Sequence, residues 1–270
     1  MRNPSFAALV LLGLAAPLAA QSRQAPNLIF TISGGLTAGG DFWEVSPQPY
    51  PVPPNAADSF TLGRVRRPGL VATLGASLFR SPHVGYWAEV GYFGIATESR
   101  CRPLGPYAPD ADNTTQQACD GIQGAHVPSS AIGFQVGLVY RFAPARVLSP
   151  YLRASGGLAA LGASFVQTAA VVGSQQCAPN STCQVALLTD PNRRDLSGMA
   201  TVAAGFTIST GPAYKVRLEA RDLLAWLPNV EGPASPAALQ APPVGTKLHH
   251  VFVFTVGVDV VLVRQRGRRY

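Results

Sequence analysis

The feature that most constrains this chain is an alternation of apolar and small or polar residues, interrupted at regular places. In Ala131–Phe142, Ile132, Phe134, Val136, Leu138, Tyr140 and Phe142 occupy every second position, and Ala131, Gly133, Gln135, Gly137, Val139 and Arg141 fill the positions between. A side-chain period of two is the repeat of a β-strand. The last segment repeats it, with Phe252, Phe254, Val256, Val258, Val260 and Leu262 set against Thr255, Gly257 and Asp259. Six more segments follow the pattern: Leu28–Gly40, Leu70–Phe79, Val84–Ala96, Tyr151–Phe165, Met199–Ser209 and Tyr214–Trp226. The connections between the eight run long, short, long, short. Long ones lie near 44–67, 98–129, 167–197 and 228–246, and short ones near 81–83, 143–149 and 210–213.

A soluble sandwich has no reason to gather its long connections at one end. A barrel threaded through an outer membrane does, because short turns face the periplasm and long loops face outside. Charged residues make up 13% of the chain, roughly half the ~25% of an ordinary soluble domain. No segment after the N-terminus reaches the ~18 apolar residues of a membrane helix. Alternation leaves the choice of outward face open, and a soluble ligand-binding barrel would hide the apolar face. The other face is rich in Gly, Ser, Thr and Ala and poor in Lys and Glu, which suits a cramped lumen better than a water-facing wall. Aromatic residues sort into two levels. Tyr86, Tyr140, Phe142 and Tyr214 fall at the short-turn end, and Phe42, Trp43, Trp226, Phe252 and Phe254 toward the other rim, as at membrane interfaces.

The expected fold is therefore all-β: a closed eight-stranded antiparallel up-and-down transmembrane β-barrel with four long outer loops and short periplasmic turns, in a bacterial outer membrane. Met1–Ala20 reads as a signal peptide, with Arg2, the apolar run Phe6–Leu14 and small residues at Leu18-Ala19-Ala20. Residues 21–270 are then the barrel domain. Lys215–Leu227 also admits a helix, but the turn signal Gly211-Pro212 favours a strand. In that strand Asp222 faces lipid unless a bulge intervenes or it already lies among headgroups. The Pro-rich stretch Pro47–Pro54 is expected to form turns and no regular strand.

On these residues the chain resembles the small outer membrane β-barrel family, the group around the transmembrane domain of outer membrane protein A. The likeness lies in Ser149-Pro150-Tyr151-Leu152-Arg153-Ala154-Ser155-Gly156-Gly157, in Arg217-Leu218-Glu219-Ala220-Arg221-Asp222 and in the closing strand from His249. The resemblance implies a closed antiparallel barrel with both termini in the periplasm. Family members usually end the last strand on an aromatic residue. Here Arg264–Arg269 separates Tyr270 from the apolar alternation.

Functional candidates are few. The inward register collects Glu89, Arg141, Arg153, Lys215, Arg217, Glu219, Arg221 and Asp259. Buried charges must pair, so these predict a plug of lumenal salt bridges, with a narrow pore for ions or small solutes as the alternative. All four cysteines fall in two long loops, Cys101 and Cys119 in one, Cys177 and Cys183 in the other. In an exported chain this suggests one disulfide per loop, although four cysteines allow three pairings. Zinc does not fit, since there is no C-x-x-C and only His126 is near a cysteine pair. No G-x-S-x-G occurs and no serine is singled out by spacing near His249 and His250, so no catalytic residue is assigned and no enzyme is expected. The +7 net charge is scattered and lacks interleaved aromatic residues, unlike a nucleic-acid surface. The expectation is a monomer without metal or cofactor, with a structural or surface-interaction role. Its partners are outer membrane lipids and a surface ligand of the long loops.

Overall fold

The computed structural model describes residues 27–52, 56–105, 114–123, 126–127, 129–172, 183–190, 196–211, 213–234 and 242–262. The signal-peptide reading, Cys177 and the Arg264–Arg269 tail lie outside these residues.

Eight strands close a barrel: β1 (Asn27–Thr37), β4 (Gly69–Phe79), β5 (Val84–Gly94), β8 (Ser130–Arg141), β9 (Leu148–Leu161), β12 (Leu196–Ser209), β13 (Tyr214–Val230) and β14 (Val244–Leu262). Each pairs antiparallel with its sequence neighbour in the barrel, and β1 pairs with β14 from Leu28↔Leu262 to Thr37↔Val253 to shut the wall. Short turns join β4 to β5, β8 to β9 and β12 to β13. Closure gives every wall strand two neighbours and leaves no open edge, the condition for β-structure in lipid. The last two strands outrun the rest, and their pairing continues past Trp226↔Leu248 to Val230↔Val244.

Most of the long connections are folded, contrary to their reading as loops. The first forms β2 (Gly40–Val52) and β3 (Ala56–Arg66). The second forms β6 (Thr97–Leu104), helix α1 (Thr114–Ile122) and β7 (His126–Val127). The third forms β10 (Thr168–Val172) and β11 (Cys183–Leu188). β2, β3, β6 and β7 make one sheet in that order, and β10 and β11 a hairpin. Together they build a cap on the outer end. The expectation for Pro47–Pro54 is corrected here, since Pro47, Pro49 and Pro51 lie within β2. β2 has a neighbour on one side only. Prolines at alternate positions can all turn their ring nitrogens to the open edge and spare the ladder with β3.

The cap has a dry centre. Phe60, Leu62, Ile122, Phe165 and Leu188 are fully buried, together with Leu227 from the extended part of β13. Phe42 and Trp43, expected at the outer membrane rim, are 5% and 6% exposed inside this core. Phe42 packs on Phe165 at 5.3 Å between ring centroids, and Trp43 Nε1 donates to the Phe165 carbonyl at 2.8 Å. Polar contacts tie the loops to one another. Arg64 on β3 donates to the carbonyl of Gln167 at 2.5 Å and to Thr168 Oγ1 at 3.2 Å. Thr115 donates to Asp58 at 2.7 Å, and the Ala234 N–H to Gln48 at 2.9 Å. Burial lowers the Arg64 guanidinium to about 10. Cys101 and Cys119 form a disulfide that holds α1 to β6.

Candidate functional site

Strand parity decides what enters the lumen. Every second residue of β5 turns inward, so Trp87 and Glu89 do so together, and on β9 Tyr151 and Arg153 do the same. β13 adds Arg217, Glu219 and Arg221, and β14 adds Asp259. Six of the eight charges singled out in the sequence meet in one connected array. Arg217 holds Asp259 through two bonds of 2.9 Å each, and Thr31 donates to the same carboxylate at 2.7 Å. Arg153 bridges Glu89 at 3.1 Å and Glu219 at 2.7 Å. Arg221 lies 2.7 Å from Glu89 and 2.9 Å from Glu219. Arg153, Arg217 and Arg221 thus face Glu89, Glu219 and Asp259, and the array is neutral.

Two aromatic side chains complete this array, and inward charge alone did not reveal them. The guanidinium groups of Arg153 and Arg217 both lie over the Trp87 ring, 4.5 Å and 5.0 Å from its centroid. Tyr151 donates to Glu219 at 2.8 Å and lies 4.8 Å from the Arg217 guanidinium. Their parity with Glu89 and Arg153 was the available signal. Two glycines make room for them. A Cβ on Gly75 would come within 2.5 Å of the Trp87 ring, and one on Gly205 within 2.6 Å of the Tyr151 hydroxyl.

Arg141 and Lys215 stand apart, at the short-turn end. Arg141 stacks on Phe79 at 3.5 Å, and neither cation forms an ion pair among the described residues. Above the array the lumen turns apolar. Phe93, Ala131, Leu161, Met199, Leu223 and Val253 belong to the same buried cluster as the cap core.

The outer wall is the reverse of the lumen. Phe134 is 56% exposed and Val258 45%, and Val136 and Leu138 are exposed with them. So are Phe30, Ile32, Leu74, Val90, Leu152 and Phe206. On β14 this face runs from Phe252 to Leu262. Ten rises of ~3.4 Å at a tilt of ~40° cover about 26 Å, the height of an outer membrane apolar band. Tyr86, Tyr140, Phe142 and Tyr214 are exposed at its short-turn edge, and Trp226, Phe252 and Phe254 toward the cap. The chain is a closed eight-stranded β-barrel of the membrane-spanning kind.

Within this barrel β13 is an unbroken strand, paired in continuous register with both neighbours around Asp222. Of the two reliefs named for Asp222, a bulge or a place among headgroups, the bulge is absent. Asp222 faces outward in register with Phe252, and its Oδ2 lies 2.7 Å from Nδ1 of His250 on β14. The outward positions nearest this pair, Ala220, Leu224, Leu248 and Phe252, bring no hydroxyl or thiol that it could activate. His249 points inward, stacked on Phe42 at 4.3 Å, so the two histidines do not act together.

The chain is similar to solved outer membrane structures. Against Neisserial surface protein A the identity is 9% and the TM-score 0.38, covering 88% of this chain and 99% of that one. Against the N-terminal β-barrel domain of Pseudomonas aeruginosa OprF the values are 10% and 0.34, with 87% and 97% covered. Against outer membrane protein AlkL in lipid bilayers they are 11% and 0.37, with 93% and 98% covered. No family model and no curated protein matches the sequence.

Proposed function

We propose that this barrel is a closed anchor that displays a folded outer cap for surface interaction and conducts nothing. The observation that carries the reading is a double block of the interior. Three Arg and three carboxylates fill the lower lumen, and the apolar cluster of the upper lumen runs on into the cap core. Eight strands enclose only enough space for side chains, and both sections are occupied by them. The cap is suited to display because sheet, helix and hairpin share one core and polar ties from each of the long connections. A soluble ligand-binding barrel would put its apolar face inside, whereas here Phe134 and its neighbours face out.

Planar-bilayer recording tests the closed lumen. The purified full chain is expected to insert without adding steps above the lipid baseline. Reproducible unitary openings would reject the plug and favour the pore.

A further inference from the structure

The periplasmic mouth of the lumen holds a cavity of about 320 Å³ lined by Arg80, Arg141, Lys215, Phe79, Ile29 and Val261, among others. This size is at the lower end for small-molecule sites. Among the described residues its floor is cationic and unpaired. Arg141 is 8% exposed, and its Nη2 is fully buried without a hydrogen-bond partner. Lys215 is in register with Asp259, but that carboxylate is already taken by two bonds from Arg217 and one from Thr31. Nor does the adjoining sequence supply another acidic side chain. Residues 21–26 and 263–270, next to β1 and β14, carry no Asp or Glu, and the turn segments 80–83, 142–147 and 210–213 carry none either. A buried guanidinium without a counter-charge is strongly disfavoured, and the lumenal carboxylates among the described residues, Glu89, Glu219 and Asp259, are engaged elsewhere.

We propose that an oxyanion of the phosphate type binds in this mouth, on Arg141 and Lys215, with Arg80 at the rim. The planar fork of Arg141 suits two phosphate oxygens at once, and Lys215 adds a point charge. The apolar remainder of the lining, Phe79, Ile29 and Val261, accommodates a carbon substituent on the phosphate. Two sources offer this chemistry: a soluble phosphate of the periplasm, and the headgroup of an anionic lipid in the inner leaflet.

The phosphorus resonance of the ligand tests the proposal on the full chain in neutral maltoside micelles at fixed ionic strength. Inorganic phosphate is titrated in one arm and phosphatidylglycerol in the other. Saturable broadening by phosphate that becomes about tenfold weaker in Arg141→Gln, and weaker also in Lys215→Gln, assigns a soluble ligand. The same loss confined to phosphatidylglycerol assigns a headgroup. Broadening that is absent in both arms, or unchanged in both variants, overturns the site. The compact unboiled gel form of each variant establishes that it is folded.

Discussion

Glu219 in the lower lumen and Leu62 in the cap are hidden to a similar degree, at 5% and 0% exposure, yet their surroundings do opposite things. Glu219 is held by Arg153, Arg221 and Tyr151, which arrive from β9 and β13. The array continues through Glu89 to β5 and through Arg217 and Asp259 to β14 and β1. Its bonds join strands that meet only when the wall has closed. Leu62 is held by unspecific contact with apolar neighbours from the first three loops and from β13. The array therefore acts on the whole barrel, all or none, whereas the cap core, continuous with the upper lumen, lies above the array and can loosen while the barrel stands. Within the array a missing partner leaves ions in low dielectric. Within the cap a missing methyl leaves a cavity.

The largest effect should come from charge reversal in the array. Glu219→Lys places a fourth cation among Arg153, Arg217 and Arg221. Removing one partner of a buried pair already costs about 3–5 kcal/mol, and reversal adds repulsion. The variant is expected to lose the compact unboiled gel form. A variant that folds with the urea midpoint of the parent would show that the array does not lock closure. A smaller and more local effect is expected from Phe60→Ala in the cap, at about 3–5 kcal/mol. Protease should then cut the outer loops while the unboiled gel form persists. Loss of both together would show that cap and barrel form one cooperative unit and erase the contrast.

These two regions were unequally legible in the sequence. The wall was readable because lipid on one side and a narrow lumen on the other favour alternation, and in Ala131–Phe142 and Phe252–Leu262 every outward position is apolar. Parity also placed Glu89, Arg153, Arg217, Glu219, Arg221 and Asp259 on one inner surface, though it did not show which would touch. Arg141 and Lys215 share that parity, but they sit at the mouth, below the reach of any free carboxylate. The cap was not readable, since its first strand carries three prolines, its register shifts near Asp41 and Val45, and it is stabilised by partners distant in the chain. Phe42 and Trp43 were misplaced for that reason: an aromatic residue just past a membrane strand looks the same whether it meets headgroups or a folded loop. Asp222 is accommodated without a bulge, with its Oδ2 beside His250 on the neighbouring strand.

The smallest effect lies where the two regions join. His249 sits on β14 above the apolar band, with its ring against Phe42 and its Nε2 buried without a partner. Burial, helped by Arg66, Lys247 and His250, lowers it to about 4 from the usual 6.5. The folded cap therefore holds this ring neutral across a window in which the unfolded chain would protonate it. Its contribution is complete above about 6.5 and fades as the pH falls toward 4. Protease cutting of the outer loops should rise over that interval in the parent. In His249→Phe, which keeps a flat ring on Phe42 and has nothing to protonate, the rise should be smaller. Equal rises in the two proteins would move the acid response to another group and leave the junction with no pH sensitivity of its own. Since the barrel array contains no histidine, the unboiled gel form should be unchanged across the same interval.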